Sequence, residues 1–500
     1  MPDFFVNGQP VRAEKGQTVM QAALAAGFYI PYFCWHPNLS IAGNCRVCVV
    51  EVEGEGGGGS WMDIACNMPV TEGMRVLTDS PAVQERRRQT LQFILLNHPV
   101  DCGICDKAGE CLLQDHHYEY NGLPSVSTVP KVKATKHFPL SQRIVLDNER
   151  CILCSRCVRF TREVSKTHAL GIQHRGDSSL VRTTETGALD RDPYSDNVID
   201  ICPVGALLSK SFLHKARVWY LQPTRSVCPG CSRGCHVDIW HRKPEWKLNA
   251  PFYQQNPQQN TGIARVTPPP AQVSAQPDEA PNGPWICNTG RDLARFFERP
   301  RALQPMLKGR AVAQHAALEA ARRLIAEARH PVALVSSWGS NEELAALHWL
   351  LSAPANAKFT RFVKSDRQAE AGEVIEDDLL IRADKNPNTT GAQSLFGNAA
   401  IAFPADTDLV LVWGEGVAFS SLPRGARTIY LNAFLQPENG HADVFIPISV
   451  QTERSGSYTN GDGVVSRFAA CFEKRASVAH AEQVFAALAA PAAAALTAGA

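Results

Sequence analysis

Fifteen of the sixteen cysteines fall in four groups between Cys34 and Cys287, and Cys471 alone stands apart. Thiols at two-residue intervals in an intracellular chain point to metal rather than to disulfides, which are rare in a reducing compartment. Each group has the number and spacing of donors that an iron–sulfur cluster needs. A row of such clusters is an electron path, so the chain is expected to carry electrons before anything else.

The first group is Cys34-x10-Cys45-x2-Cys48-x17-Cys66. Four thiolates on a loop after a helix suit a [2Fe–2S] cluster, whose irons take two each. The first gap is longer than in plant-type ferredoxins, and Gly43 allows close backbone approach. The second group is His98-x3-Cys102-x2-Cys105-x5-Cys111. Three thiolates and one imidazole complete a [4Fe–4S] site; on spacing alone, His98 before Pro99 reads equally as a cap residue. The third is Cys151-x2-Cys154-x2-Cys157, with Cys202-Pro203 farther on. That is the bacterial ferredoxin signature. Only one complete run is present, so Cys202 is expected to complete the same [4Fe–4S] cluster. The fourth is Cys228-x2-Cys231-x3-Cys235, a [4Fe–4S] trio whose fourth ligand is either Cys287 or Cys471 on spacing alone. Structural zinc is the competing reading for the first, third and fourth groups.

Five hundred residues suggest about three domains. With 44% hydrophobic and 20% charged residues the chain is an ordinary globular protein, and its net charge of +1 gives no support for nucleic-acid binding. The N-terminal MPDFFVNGQPV has neither a basic nor an apolar leader region. No uninterrupted apolar run of about 18 residues appears. The chain is therefore expected to be cytoplasmic, meeting a membrane only through a complex.

Asn7-Gly8 between Phe4–Val6 and Pro10–Val11 predicts a hairpin. Thr18 predicts a helix start before Val19, with a strand at 47–52 and a further strand pair carrying Cys66. This is the β-grasp order of a plant-type ferredoxin. Residues 81–118 read as helical, chiefly 82–96. The Pro/Gln-rich stretch 251–284 reads as an exposed insert. After 300, helices at 311–328 and 341–351 alternate with strands at 332–336, 409–413, 428–431 and 444–448, an α/β pattern. There is no fixed-period repeat, phosphate loop or dinucleotide fingerprint. His116-His117 reads as solvated helix surface, Arg86-Arg87-Arg88 as a charged helix face, and Asn460–Gly463 as a turn.

The segments PYFCWHPNLSIAGNCRVCVVEV, NHPVDCGICDKAGECLLQD, NERCILCSRCVRF, DICPVGAL and CPGCSRGC, taken in order, resemble the family of large iron–sulfur subunits of NADH-quinone oxidoreductase, respiratory complex I. The resemblance implies that His98 is a ligand and that Cys287, in WICNTGR, is the fourth ligand beside Cys228, Cys231 and Cys235. Residues 300–500 look like a shortened molybdopterin-oxidoreductase domain, with TERSGSYTNGDGVVSRF similar to its late motif. Cys471 lacks a neighbouring His, so no molybdenum cofactor is expected.

The expected fold is thus an α+β iron–sulfur region followed by an α/β molybdopterin-oxidoreductase-like domain. The expected domains are 1–80 ([2Fe–2S], β-grasp), 81–140 (His/Cys3 [4Fe–4S]), 141–216 (ferredoxin-like [4Fe–4S]), 217–299 (a further [4Fe–4S], with the insert) and 300–500. The resemblance implies single-electron relay from a flavin subunit that oxidises NADH toward quinone-side iron–sulfur subunits. The chain has no complete active site of its own. An electron-transfer subunit of an NAD-linked hydrogenase or formate dehydrogenase is the alternative, and a zinc scaffold a third reading.

Overall fold

Asn7 and Gly8 take positive φ, 51° and 79°, and turn the chain between β1 (Asp3–Val6) and β2 (Gln9–Arg12). Both central residues of such a turn need the left-handed region, which Asn and Gly tolerate best. Helix α1 (Val19–Ala25) begins at Thr18, whose hydroxyl accepts from the Gln21 N–H at 3.3 Å while the Gln21 side chain accepts from the Thr18 N–H at 3.0 Å. That reciprocal pair satisfies two backbone donors at the helix start. Strands β3 (Val49–Glu53), β4 (Trp61–Ile64) and β5 (Arg75–Leu77) complete a sheet in the order β2-β1-β5-β3-β4. Val19, Met20 and Ala23 of α1 share one core with Phe4, Val6 and Val50 of the sheet. Packing of helix on sheet thereby fixes the loop that carries Cys34, Cys45 and Cys48.

A computed structural model describes residues 1–54, 58–243, 262–270 and 280–489. It divides into a first unit (Met1–Gln222, Pro270–Glu279, Gly283–Asn288) and a second (Pro223–Pro269, Ala280–Asn282, Thr289–Ala500). In the first unit, Ser80 caps α2 (Pro81–Leu95), with Pro at the first turn, where no helical N–H is lost. α3 (Leu112–His116) follows a run of turns; β6 (Phe138–Pro139), β7 (Ile144–Leu146), α4 (Arg156–Glu163), the hairpin β8 (Leu170–Gln173) and β9 (Leu180–Thr183), α5 (Asn197–Ile201) and β10 (Leu207–Ser209) complete it. β7 lies between β10 and β6.

The second unit opens on a three-stranded sheet, β11 (Leu221–Val227), β12 (His236–Arg242) and β13 (Arg265–Thr267), with the division falling inside β11. Next come β14 (Met306–Leu307), β15 (Arg310–Ala311), α6 (Gln314–Glu327), β16 (Pro331–Ser336), α7 (Asn341–Ser352), β17 (Thr360–Lys364), β18 (Leu409–Trp413), β19 (Arg427–Asn432) and β20 (Val444–Pro447). They form one sheet ordered β15-β14-β20-β19-β18-β16-β17, in which the last five run parallel. Every residue of β16, β18 and β20 is buried. A parallel sheet covered on both faces reads as unbroken apolar runs, which is why these strands stand out in the sequence.

Several expectations need correction. Cys66 lies in a short turn, Ala65–Asn67, after β4 rather than in a strand. Residues 96–111 do not continue the α2 helix, being broken at Pro99 and at Gly109, whose φ is 86°. Within the stretch 251–284, β13 pairs with β12 and buries Val266, so that part is no exposed insert; 251–261 and 271–279 lie outside the described residues. His116 is 1% exposed and Arg87 2%, so neither belongs to a solvated face. No described helix is long and apolar enough to cross a membrane.

Candidate metal centres

None of the sixteen cysteines forms a disulfide. Cys34, Cys48 and Cys66 are buried and Cys45 half-buried. Their side chains hydrogen bond in two pairs, Cys34 with Cys45 and Cys48 with Cys66. The bond from Cys45 holds the Cys34 thiol down to about 5, while the same bond pushes Cys45 up. Two thiol pairs on one loop and the turn after β4 match the donor number that a two-iron centre takes, two sulfurs to each iron.

In the second group Cys105 is buried, Cys111 half-buried and Cys102 exposed. Burial, together with the charges of Arg150 and Lys131, drives the His98 imidazole down to about 4. It is therefore neutral near pH 7, the form that binds metal. His98 Nδ1 is buried without a hydrogen-bond partner. A buried, orphaned ring nitrogen fits a ligand better than a cap residue, since a buried polar atom left unsatisfied is costly. Arg217 donates to the Cys105 carbonyl at 2.6 Å and to the Gly103 carbonyl, fixing the loop.

In the third group Leu153 and Ser155 take φ of 52° and 59°. These left-handed residues, unusual outside glycine, curl the run so that its thiols face inward. Cys151, Cys154, Cys157 and Cys202 all line one cavity of about 20 Å³, whose other walls include Leu146, Val181 and Leu207. Burial pushes the Cys151 thiol up to about 12 and Cys154 up to about 11, partly offset by N–H groups of Leu153 and Arg156 that point at the sulfurs. The four-sulfur apolar chamber suits a [4Fe–4S] cluster.

The fourth group occupies the turn between β11 and β12, closed by Cys228 N–H donating to the Cys235 carbonyl at 2.8 Å. Gly230 N–H donates to Cys228 Sγ at 3.4 Å. Gly234 has φ 68°, and a Cβ there would stand 2.9 Å from the Asn460 Cβ. The Asn460–Gly463 segment thus packs against this turn. Cys287 belongs to the first unit and the trio to the second. Cys471 is buried, its thiol pushed up to about 12 by burial. Among the described residues no three His, Cys, Asp or Glu side chains converge tightly enough to chelate a single ion.

The first three groups are joined within the first unit. On α4, the Arg159 guanidinium donates to the Cys34 carbonyl and, at 3.3 Å, to the Cys154 carbonyl. Arg156 donates to the Trp35 and Ile201 carbonyls, neighbours of Cys34 and Cys202. Asn44, beside Cys45, donates to the Leu153 carbonyl at 3.2 Å. Third and second groups meet where Leu112 N–H donates to the Pro203 carbonyl at 3.0 Å, between the residues after Cys111 and Cys202. Sequence reading by metal donors alone passed over these arginines. Their signal is nevertheless present: Arg156 and Arg159 are spaced three apart and bracket Cys157 on one helix.

Three family models match this region: a 2Fe-2S iron-sulfur cluster binding domain over 2–81, the NADH-ubiquinone oxidoreductase-G iron-sulfur binding region over 87–122, and the ferredoxin-like domain of NADH-quinone oxidoreductase subunit 3 over 141–208. Curated relatives agree. The mitochondrial NADH dehydrogenase [ubiquinone] iron-sulfur protein 1 of Solanum tuberosum is 38% identical over 61% of this chain and 38% of its own length. An NADH-quinone oxidoreductase subunit of Rickettsia felis is 39% identical over 48% of this chain and 35% of its own. Across its iron–sulfur region, this chain is a relative of the large iron–sulfur subunit of NADH-quinone oxidoreductase. The NADH-ubiquinone oxidoreductase 75 kDa subunit of Reclinomonas americana matches at 36% over 62% of this chain and 40% of its own. The chain therefore spans less than half the length of these large-subunit relatives. Among solved structures, an NAD+-reducing [NiFe]-hydrogenase chain matches at 32% identity, covering 43% of this chain and 91% of that one, with a TM-score of 0.39.

Proposed function

We propose that this chain is the electron-relay subunit of a proton-translocating NADH:quinone oxidoreductase. It carries one [2Fe–2S] cluster on Cys34, Cys45, Cys48 and Cys66. It carries three [4Fe–4S] clusters: on His98, Cys102, Cys105 and Cys111; on Cys151, Cys154, Cys157 and Cys202; and on Cys228, Cys231 and Cys235 with Cys287. The five segments bounded at 80, 140, 216 and 299 are its domains in this reading, the last a degenerate molybdopterin-oxidoreductase relative without molybdenum. Its partners are a flavin subunit that oxidises NADH and the quinone-side iron–sulfur subunits, on the cytoplasmic face of the inner membrane.

The observation that carries the reading is the direct linkage of three donor groups within one unit. When bound, the clusters take up and release single electrons; the chain's residues hold, bury and space them. The linkage runs from the first group to the third through Arg156, Arg159 and Asn44, and from the third to the second through Leu112–Pro203 and Gly205, whose Cβ would meet Cys105. The relay order is then first, third, second, which differs from the order along the chain.

Anaerobic purification with iron and sulfide analysis, followed by low-temperature paramagnetic resonance, tests the reading. About fourteen irons per chain are expected from one two-iron and three four-iron centres. Stoichiometric zinc with little iron would refute it.

A further inference from the structure

Arg156 and Arg159 are each 4% exposed. Among the described residues neither pairs with a carboxylate: Arg156 donates only to the Ile201 and Trp35 carbonyls, and Arg159 only to Ser155 Oγ and to the carbonyls of Ser40, Cys34 and Cys154. The Arg156 guanidinium also lies over the Tyr32 ring, 5.7 Å from its centroid, while its Nε has no partner. Two buried cations without an anion are an expensive arrangement, since a buried charge is normally paired. The contrast within the same unit is sharp. Arg150, 3% exposed and next to Cys151, is neutralised by Asp147 at 3.2 Å and Asp101 at 3.0 Å.

The groups that face this pair of guanidiniums are thiols. Arg156 lies within electrostatic reach of Cys154, Cys202 and Cys34, and Arg159 of Cys34 and Cys154. Beside them also stand His36, Tyr32, the Ser155 hydroxyl and backbone carbonyls; desolvation, reinforced by both arginines, keeps His36 neutral at ordinary pH. Cysteine-ligated clusters are anionic, and each gains one further negative charge on reduction. Charge and hydrogen bonding around a cluster set its potential.

We infer that Arg156 and Arg159 are a shared counter-charge for the first and third donor groups: positioning residues that stabilise the reduced state of both centres and raise both potentials together. The inference rests on the ligand sets proposed above. It extends them by saying where the missing anion for these cations resides.

The test is a redox titration of the full chain, anaerobically purified, with the [2Fe–2S] and [4Fe–4S] resonance signals followed separately. Arg156→Gln and Arg159→Gln are each expected to shift the first and third centres to lower potential by about tenfold in reduction equilibrium, about 59 mV for one electron. The second centre moves little. Arg156→Lys and Arg159→Lys keep the charge and stay near the parent potentials. Intact signals with no shift, or a shift confined to one centre, overturn the inference. If the Gln variants load no iron at these two sites while the Lys variants do, the charge is required for both centres and the inference stands. If the Lys variants also fail, the guanidinium fork rather than its charge holds the loops, and the inference falls. Absence of both signals from the unaltered chain would instead remove the ligand assignments on which it rests.

Discussion

A Cβ on Gly205 would collide with Cys105 Sγ. The backbone that follows Cys202 of the third group therefore occupies the van der Waals shell of a sulfur in the second. Any side chain at 205 must displace that sulfur, along with Lys107 Cβ at 3.3 Å. Overpacking of this kind typically costs about 1–3 kcal/mol, and here it falls on a ligand. Gly205→Ala is expected to abolish or distort the second centre, losing about four irons per chain. The first centre keeps its resonance signal. Iron analysis and paramagnetic resonance on the same preparation check both halves of the expectation.

The middle residue of the Arg86–Arg88 run has a structural role that its neighbours do not share. Arg87 donates to the Val49 carbonyl at 3.0 Å, tying α2 to β3, and its guanidinium lies 5.3 Å from the Tyr120 ring centroid. Removing it orphans a buried carbonyl and opens a cavity, so Arg87→Ala should destabilise the first unit by about 2–3 kcal/mol. Arg88→Ala removes only an exposed pair with Glu85 and should leave the unfolding midpoint close to that of the parent. Denaturant unfolding of the two variants side by side measures the difference.

These arginines show where sequence reading reaches and where it stops. The donor groups were legible because metal chemistry fixes residue type and spacing locally. The parallel strands were legible because both faces are covered and the runs are unbroken. Arg87, Arg156 and Arg159 look like surface charge in a linear pattern; their burial comes from partners 38 to 125 residues away. The strand β13 was hidden for a related reason, since its partner β12 supplies the pairing that its short apolar content does not advertise.

His116 supplies a pH-dependent contribution. Its ring is buried between Phe33, at 5.1 Å, and Tyr120, at 5.9 Å, and burial lowers its pKa below the ordinary histidine value. The unfolded chain then binds a proton that the folded chain refuses. Stability from this residue is complete above about pH 6.5 and falls as the pH drops through the interval down to the lowered value. His116→Phe should flatten the slope of the unfolding midpoint between about pH 5 and 7. An unchanged slope in urea titrations across that range would assign the acid sensitivity to other groups.

Asn197 holds the segment that carries Cys287. Fully buried, it donates to the Ile286 carbonyl at 2.8 Å and accepts from the Ile286 N–H at 3.2 Å, while also donating to the Tyr194 carbonyl at 2.8 Å. Trp285 anchors the same segment against Phe160, ring centroids 5.0 Å apart. Asn197→Ala leaves the Ile286 backbone groups unpaired inside the unit, which should cost about 2–4 kcal/mol. The loss is concentrated at one short segment, so its first consequence is local opening. Alkylation of Cys287, followed by mass spectrometry in metal-free protein, should quicken by at least about tenfold, equivalent to about 1.4 kcal/mol of local stability. The Cys34 to Cys66 set, held by a separate core around α1, should react at the parental rate; equal acceleration at every cysteine would mean that Asn197 supports the whole unit rather than the Cys287 segment.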